Sequence, residues 1–106
     1  MMQGYLVTFF TQKSREHEGI PLADWIVEEA SKIGVRGATL FSGKEGFGHD
    51  GRFHSGNYFD FEDPPQLVTM ALTVHEYGKL MSYLQSVNVK IFYTQSKAEF
   101  GFTSEY

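Results

Sequence analysis

The sequence has no cysteine, only three prolines and one tryptophan among its 106 residues. Without cysteine it can form no disulfide, thiolate zinc site or thiol nucleophile, so packing alone must hold the fold. No apolar run approaches the roughly 20 residues that a membrane-spanning helix needs, and residues 1–10 lack the basic start and cleavage site of a secretion signal. We therefore expect a soluble cytoplasmic protein that does not insert into a membrane.

Basic residues are also scarce, since nine Lys and Arg against thirteen Asp and Glu give a net charge of −4. This balance argues against general binding to nucleic acid polymers, although a local basic patch stays open. The chain is instead rich in apolar and aromatic residues, with 42% hydrophobic residues, ten Phe and six Tyr. Its length predicts one small domain that spans residues 1–106.

Hydrophobic periodicity predicts four strands and two amphipathic helices. The strands are predicted at residues 5–10, 37–41, 67–74 and 90–96, and the helices at residues 22–33 and 74–87. Pro21 suits the first helical turn, Gly34 suits a left-handed end to that helix, and Thr73 with Glu76 forms a capping box for the second. The order β-α-β-β-α-β predicts an α+β, ferredoxin-like antiparallel sheet with both helices on one face. Residues 98–106 are predicted to form a C-terminal tail or a short added edge.

The predicted first strand is apolar on both of its faces. Tyr5, Val7 and Phe9 alternate with Leu6 and Phe10 along it, and two helices can cover only one face of the sheet. Monomeric proteins rarely leave large contiguous apolar patches in water. The uncovered face therefore predicts self-association.

The long segment between the second and third strands, residues 42–64, does not fit a plain scaffold, because loops beyond about 12–15 residues are usually functional or disordered. Its five glycines let backbone N–H groups converge on an anion, and Lys44 and Arg52 add positive charge. A loop that is merely mobile is the simpler alternative. Six aromatic residues in this region favour packing against a neighbouring subunit or a ligand: Phe41, Phe47, Phe53, Tyr58, Phe59 and Phe61.

Catalytic and metal-binding patterns are weak. His49, Asp50 and His54 could ligate a divalent metal, but histidines on an irregular loop have no fixed geometry and more often form local hydrogen bonds. No nucleophile, base and acid stand in an arrangement typical of catalysis. We therefore expect neither an enzyme nor a bound cofactor.

Several short motifs together resemble a known family over residues 5–93. They are His17-x-Gly19-x-Pro21-Leu22, Ile26-Val27-Glu28-x-Ala30, Gly37-Ala38-Thr39, Gly43-x-Glu45-Gly46-Phe47-Gly48 and Arg52-x-His54. This pattern resembles the uncharacterised bacterial family numbered 190 among domains of unknown function, which is similar in fold to the nitrogen-regulatory PII proteins and to CutA proteins. The resemblance implies a homotrimer in which residues 42–64 act as the PII T-loop.

By the same resemblance, the loop and the clefts between subunits would bind nucleotides or small anionic effectors, and the loop would dock on a target transporter or enzyme. The implied function is sensing and regulation rather than turnover. The ligand-binding candidates carried over by position are Lys44, Glu45, Gly46, Phe47, Gly48, His49, Arg52 and His54, with His17 and Gly19. Residues 86–90 lack the glycine-rich phosphate loop of PII proteins, which argues against ATP bound in the PII manner. Two alternatives stay open: a CutA-like divalent-metal-binding trimer, and a small ferredoxin-like enzyme such as a cofactor-free monooxygenase.

Overall fold

Four strands and two helices form the body of the molecule. The computed structural model describes residues 1–47, 53–55 and 63–104, with the backbone alone at 45–47 and 53–55. The elements are β1 (Met2–Gln12), β2 (Glu16–His17), β3 (Ile20–Pro21), α1 (Leu22–Ile33), β4 (Thr39–Ser42), β5 (Glu45–Phe47), β6 (Phe53–Ser55), β7 (Pro65–Thr73), α2 (Val74–Ser86) and β8 (Phe92–Phe100). Neither helix in these described ranges is long and apolar enough to cross a membrane.

The main sheet has the strand order β4-β7-β1-β8, and every neighbouring pair is antiparallel. Helix α1 lies against β1, β4 and β7, and α2 lies against β1 and β7. Val7, Phe9, Val68, Met70 and Leu72 project from the sheet into the core that both helices close. The predicted α+β, ferredoxin-like fold with both helices on one face is therefore confirmed.

Both helices begin and end close to the predicted residues. Gly34 ends α1 in the left-handed conformation, with φ 100°. Pro21 stands immediately before the first helical residue rather than within the first turn. At the start of α2, the Glu76 amide donates to the Thr73 hydroxyl at 3.1 Å, while the Thr73 amide donates to the Glu76 carboxylate at 2.8 Å. The predicted capping box is therefore confirmed.

Strands β1 and β8 are longer than the sequence pattern predicts. They pair without interruption from Met2 opposite Phe100 to Phe10 opposite Phe92. Of the two alternatives predicted for residues 98–106, a tail or a short added edge, residues 98–100 extend β8 in the sheet, because the extended start of β1 offers them backbone partners. Gly4 permits that extension, since a Cβ there would stand 1.8 Å from a backbone carbonyl oxygen of β7.

The side of the sheet that faces away from the helices, here called the open face, carries two rows of aligned side chains across all four strands. One row is apolar and runs Phe41, Leu67, Phe10, Phe92; the next runs Thr39, Thr69, Thr8, Thr94. Leu6 lies beyond the threonine row and is 45% exposed, and Phe41 and Phe92 are 52% and 54% exposed. The second apolar face that the sequence predicted is present.

Besides the two-stranded pairing of β2 with β3, a separate two-stranded sheet lies within the predicted loop of residues 42–64. Strands β5 and β6 pair in antiparallel register, with Gly46 opposite His54. The sequence analysis did not predict these strands, because the glycines indicated irregular structure. Part of the loop segment therefore has regular backbone pairing.

Candidate functional site

The candidate site is one end of the main sheet, here called the loop end. Strands β1 and β4 finish there at Gln12 and Ser42, and β7 and β8 begin there at Pro65 and Phe92. Antiparallel pairing places these four termini at the same end of the sheet. The segment of residues 42–64 leaves and rejoins the fold at this end.

Backbone hydrogen bonds fix the two ends of that segment. The Gly43 amide donates to the Pro65 carbonyl at 2.6 Å, and the Lys13 amide donates to the Pro64 carbonyl at 3.0 Å. The first bond joins the end of β4 to the start of β7, and the second joins the turn after β1 to the residue before β7. The segment is therefore anchored at both sides of its base.

Asp63 forms a third attachment at the same place. Its carboxylate accepts hydrogen bonds from the Ser14 amide at 2.7 Å, the Ser14 hydroxyl at 3.0 Å and the Gln12 side-chain amide at 2.9 Å. These donors belong to the last residue of β1, Gln12, and to the turn that follows it. The turn and the residues before β7 are thus held together by one carboxylate as well as by backbone pairing.

Four basic side chains gather at the loop end although the chain as a whole is acidic. Lys13 and Arg15 follow β1, Lys44 follows β4 and Lys90 precedes β8. Arg15 is half-buried and its guanidinium donates to the Lys90 carbonyl at 2.8 Å, while the three lysines are exposed. Among the side chains that the structure describes, those of residues 1–44 and 63–104, none of these four cations forms an ion pair with a carboxylate. This arrangement can attract and hold a small anion.

An open cavity of about 490 Å³ adjoins this basic cluster. Its described lining is Lys90, Ile91, Phe92 and Tyr93. Phe92 is 54% exposed on the open face, where its ring lies 5.5 Å from that of Phe10, and Tyr93 is 37% exposed on the opposite face, where its ring lies 5.9 Å from that of Phe9. Aromatic surface next to a cation suits a ligand that has both a flat ring and a negative group.

His17 and Gly19 lie in the β2–β3 hairpin. Its two-residue turn has positive φ at both Glu18 (52°) and Gly19 (83°), as a type I′ turn requires. The His17 ring lies 4.4 Å from the Trp25 ring, between centroids, and its Nε2 is 4.0 Å from a Glu18 carboxylate oxygen. The described contacts of His17 therefore pack the hairpin onto α1.

A buried carboxylate lies next to this aromatic contact. Glu29 is 8% exposed, accepts a hydrogen bond from the Tyr83 hydroxyl and forms an ion pair with Lys32 at 2.9 Å. The Tyr83 hydrogen bond, followed by the Lys32 hydrogen bond, lowers the pKa of Glu29 below its ordinary value of 4.5. The same bond to Glu29 raises the pKa of Tyr83. This group ties α1 to α2 and stays negatively charged, so it does not suit binding of an anion.

The structure places only part of the predicted site. Lys44 is exposed at the loop end, whereas Glu45, Gly46 and Phe47 form β5 and His54 lies in β6. Gly48, His49, Asp50 and Arg52 lie outside the described residues. Among the residues that the structure does describe, no group of three His, Asp or Glu side chains could hold a metal ion.

The sequence analysis missed three basic members of the loop-end cluster, namely Lys13, Arg15 and Lys90. They are far apart in the sequence and belong to no motif. A signal was nevertheless available, because each of them stands within three residues of a strand end at the loop side of the sheet. The predicted topology could have brought them together.

Two comparisons with known proteins bear on this architecture. Residues 4–100 match the model of the family described as "Uncharacterized ACR", domain of unknown function 190. The family predicted from the sequence motifs is thereby confirmed. A solved structure described as CPII bound to ADP and bicarbonate, from Thiomonas intermedia K12, aligns with a TM-score of 0.49 and 18% identity, over 91% of this chain and 90% of that chain.

Proposed function

The chain belongs to the domain of unknown function 190 family, and from this premise we propose that it is a cytoplasmic, PII-like signalling protein that binds without turnover. Its ligand is a small anionic effector of the nucleotide class, held at the loop end and in the cleft between subunits. The segment of residues 42–64 then engages a partner such as a transporter or an enzyme. The observation that carries this proposal is the cluster of Lys13, Arg15, Lys44 and Lys90.

Charge gives the first argument for an anionic ligand. Like charges gathered at one place repel one another, so a cluster of cations favours the approach of a negatively charged group. Lys44 and the glycine N–H groups of the same segment can share one phosphate or carboxylate, since backbone amides and a nearby amine suit the same oxygen atoms. Lys90 supplies charge from the other side, beside the start of β8.

The aromatic surface beside Lys90 gives the second argument. Phe92 and Tyr93 line the 490 Å³ cavity, whose size lies within the usual range of small-molecule sites. A base can stack on an aromatic ring whatever its identity, because every base has a π-face. A nucleotide therefore uses both parts of the site, its phosphate on the cations and its base on the Tyr93 ring, which lies on the helix side of the sheet and not on the open face.

The open face supports a homotrimer. Its apolar row and the exposed Leu6, with the threonine row between them, form a surface that α1 and α2 leave uncovered. Three copies that pack these faces together remove the surface from water and set loop ends beside one another. The cleft between subunits is then completed by residues of two copies.

The proposal is tested by calorimetric titration with a panel of nucleoside mono-, di- and triphosphates, after a thermal-shift screen. We expect one of them to bind, and Lys44→Ala and Lys90→Ala each to weaken it about tenfold, the loss of one charge-assisted contact. Lys97→Ala is the matched control, because Lys97 is exposed on β8 towards the other end of the sheet. Arg52→Ala tests the predicted loop contribution. Absence of any hit, or equal losses in all variants, would contradict the proposal.

Two further measurements separate the alternatives. Heat of zinc or copper binding that disappears in His54→Ala would favour a CutA-like metal-binding trimer. A dimer in light scattering would favour a small ferredoxin-like enzyme, since such enzymes are usually dimers. We expect little metal-dependent heat and a trimer.

A further inference from the structure

We propose that the turn after β1 is a binding cradle for a small oxyanion, that the Asp63 carboxylate occupies it as an internal ligand, and that a phosphate group competes for it. Three donors converge on this carboxylate: the Ser14 amide at 2.7 Å, the Ser14 hydroxyl at 3.0 Å and the Gln12 side-chain amide at 2.9 Å. Both carboxylate oxygens are used, one by the amide and the other by the two side chains. A negatively charged group with two neighbouring oxygens is what these donors select.

The cradle is held by contacts that do not involve the Asp63 carboxylate. The Arg15 amide donates to the Gln12 carbonyl at 3.1 Å, which closes the turn. The Leu22 amide donates to the Arg15 carbonyl at 2.7 Å, which ties the turn to the start of α1. Gln12 also pairs with Pro65 in the sheet. The donors are therefore expected to keep their arrangement when the carboxylate leaves, so that an incoming anion finds a preorganised site.

Charge and exposure favour exchange with an external anion. Lys13 and Ser14 are exposed, so a solute can reach the donors, and Arg15 stands next in the chain. A carboxylate carries one negative charge, whereas a phosphate monoester carries about 1.5 to 2 at neutral pH. Because exposed Lys13 neighbours Ser14 in the chain, the group with more charge gains more from the same place, while the Arg15 guanidinium is engaged at the Lys90 carbonyl. The Asp63 carboxylate competes with the external anion from within the same chain, and this tether gives it an effective local concentration in the millimolar range.

Exchange has a defined structural result. When a phosphate takes the three donors, residue 63 is released from the turn after β1, while the Lys13–Pro64 and Gly43–Pro65 backbone bonds stay available. Anion binding at the cradle thereby removes one of three attachments between β1 and the residues before β7. This inference rests on the proposed function, because it names a phosphate subsite of the same loop end.

The test is an NMR titration of the ¹⁵N-labelled protein with inorganic phosphate, followed at the Ser14 amide. We expect a saturable shift of that amide in the wild type and at least about tenfold tighter binding in Asp63→Ala, which empties the cradle of its tethered competitor. Asp63→Asn serves as the second variant, because it keeps the side-chain shape and one acceptor oxygen for the turn, while it removes the charge and replaces the second acceptor by an NH2 donor. Asp24→Ala, which removes a carboxylate from α1, is the control and should bind as the wild type does.

Each result of the phosphate titration either supports or overturns the proposed cradle. Tighter phosphate binding in Asp63→Ala or Asp63→Asn, reported by the Ser14 amide, supports the inference. Equal affinity in all variants, an unmoved Ser14 amide, or no phosphate binding would overturn it; Asp63→Asn decides the matter where Asp63→Ala does not fold. Nucleotide binding that depends on Lys44 and Lys90 but not on Asp63 would leave the proposed function intact and remove this inference alone.

Discussion

Replacing two phenylalanines on the open face with serine should dissociate the proposed trimer. Phe41 and Phe92 end the apolar row at opposite edges of the sheet and are 52% and 54% exposed in the single chain. If three copies pack their open faces together, both rings become buried in every subunit. Phe41→Ser with Phe92→Ser removes that gain and leaves the core side of the sheet unchanged.

The magnitude follows from the exposed fractions. Complete burial of a Phe side chain stabilises by about 1.5–3 kcal/mol, so a ring that is half exposed has about 1 kcal/mol left to gain. Two rings from three subunits lose about 6 kcal/mol, or about 10⁴-fold in the trimer dissociation constant. Because that constant contains the square of the subunit concentration, the midpoint concentration of assembly should rise about 100-fold.

Sedimentation equilibrium over a dilution series measures that midpoint, and circular dichroism confirms that the variant subunits are folded. Phe102→Ser is the matched control, since Phe102 is 79% exposed but lies beyond β8. The control should assemble like the wild type. A wild type that stays monomeric at every concentration, or a double variant with an unchanged midpoint, would refute the burial of this face.

Three further predictions concern stability, each measured by urea unfolding. Gly4→Ala should destabilise the fold by about 1–3 kcal/mol or more, because the added Cβ meets backbone that cannot move aside. Gly78→Ala should stabilise it by about 0.5–1 kcal/mol, because there is open space around this position in α2. Effects of the same sign for both variants would be inconsistent with the structure. Thr73→Ala should cost about 0.5–2 kcal/mol through loss of the α2 cap, and an unchanged midpoint would speak against that cap. Tyr83→Phe removes the hydrogen bond that is the main cause of the lowered Glu29 pKa. Its loss of stability should therefore be present near pH 7 and fade as the pH falls below 4.5, where the carboxylate gains a proton. A loss of stability that is just as large at about pH 3 would count against this assignment.

The helices could be predicted from the sequence because their signals are local. The stripe from Leu22 to Ala30, the glycine at 34 and the box formed by Thr73 and Glu76 each act within a few residues. Strand ends were less predictable, since a residue continues a strand only if a partner lies opposite it. Gly4 resembles a strand breaker in isolation, yet it is the residue that lets β1 approach β7 closely.

The candidate site could be predicted only in part for the same physical reason. Lys44 stands out because it lies among glycines in a long segment. Lys90 becomes a candidate only once the fold is known, because the fold brings the start of β8 beside the end of β1. The bond between Ser14 and Asp63 joins residues 49 positions apart, and no periodicity or motif indicates such a contact. His17 was a binding candidate by position, whereas its observed neighbour is the Trp25 ring.

The threonine row on the open face affects how a single subunit behaves before it assembles. Each of these side chains offers a methyl group to a neighbouring surface and a hydroxyl to water, and Thr8 and Thr69 are already within 3.3 Å of each other through their hydroxyl oxygens. Valines at the same four positions would give every newly synthesised subunit a larger exposed apolar surface on this face. With hydroxyls there, we expect the chain to finish folding and to diffuse freely before it meets its copies.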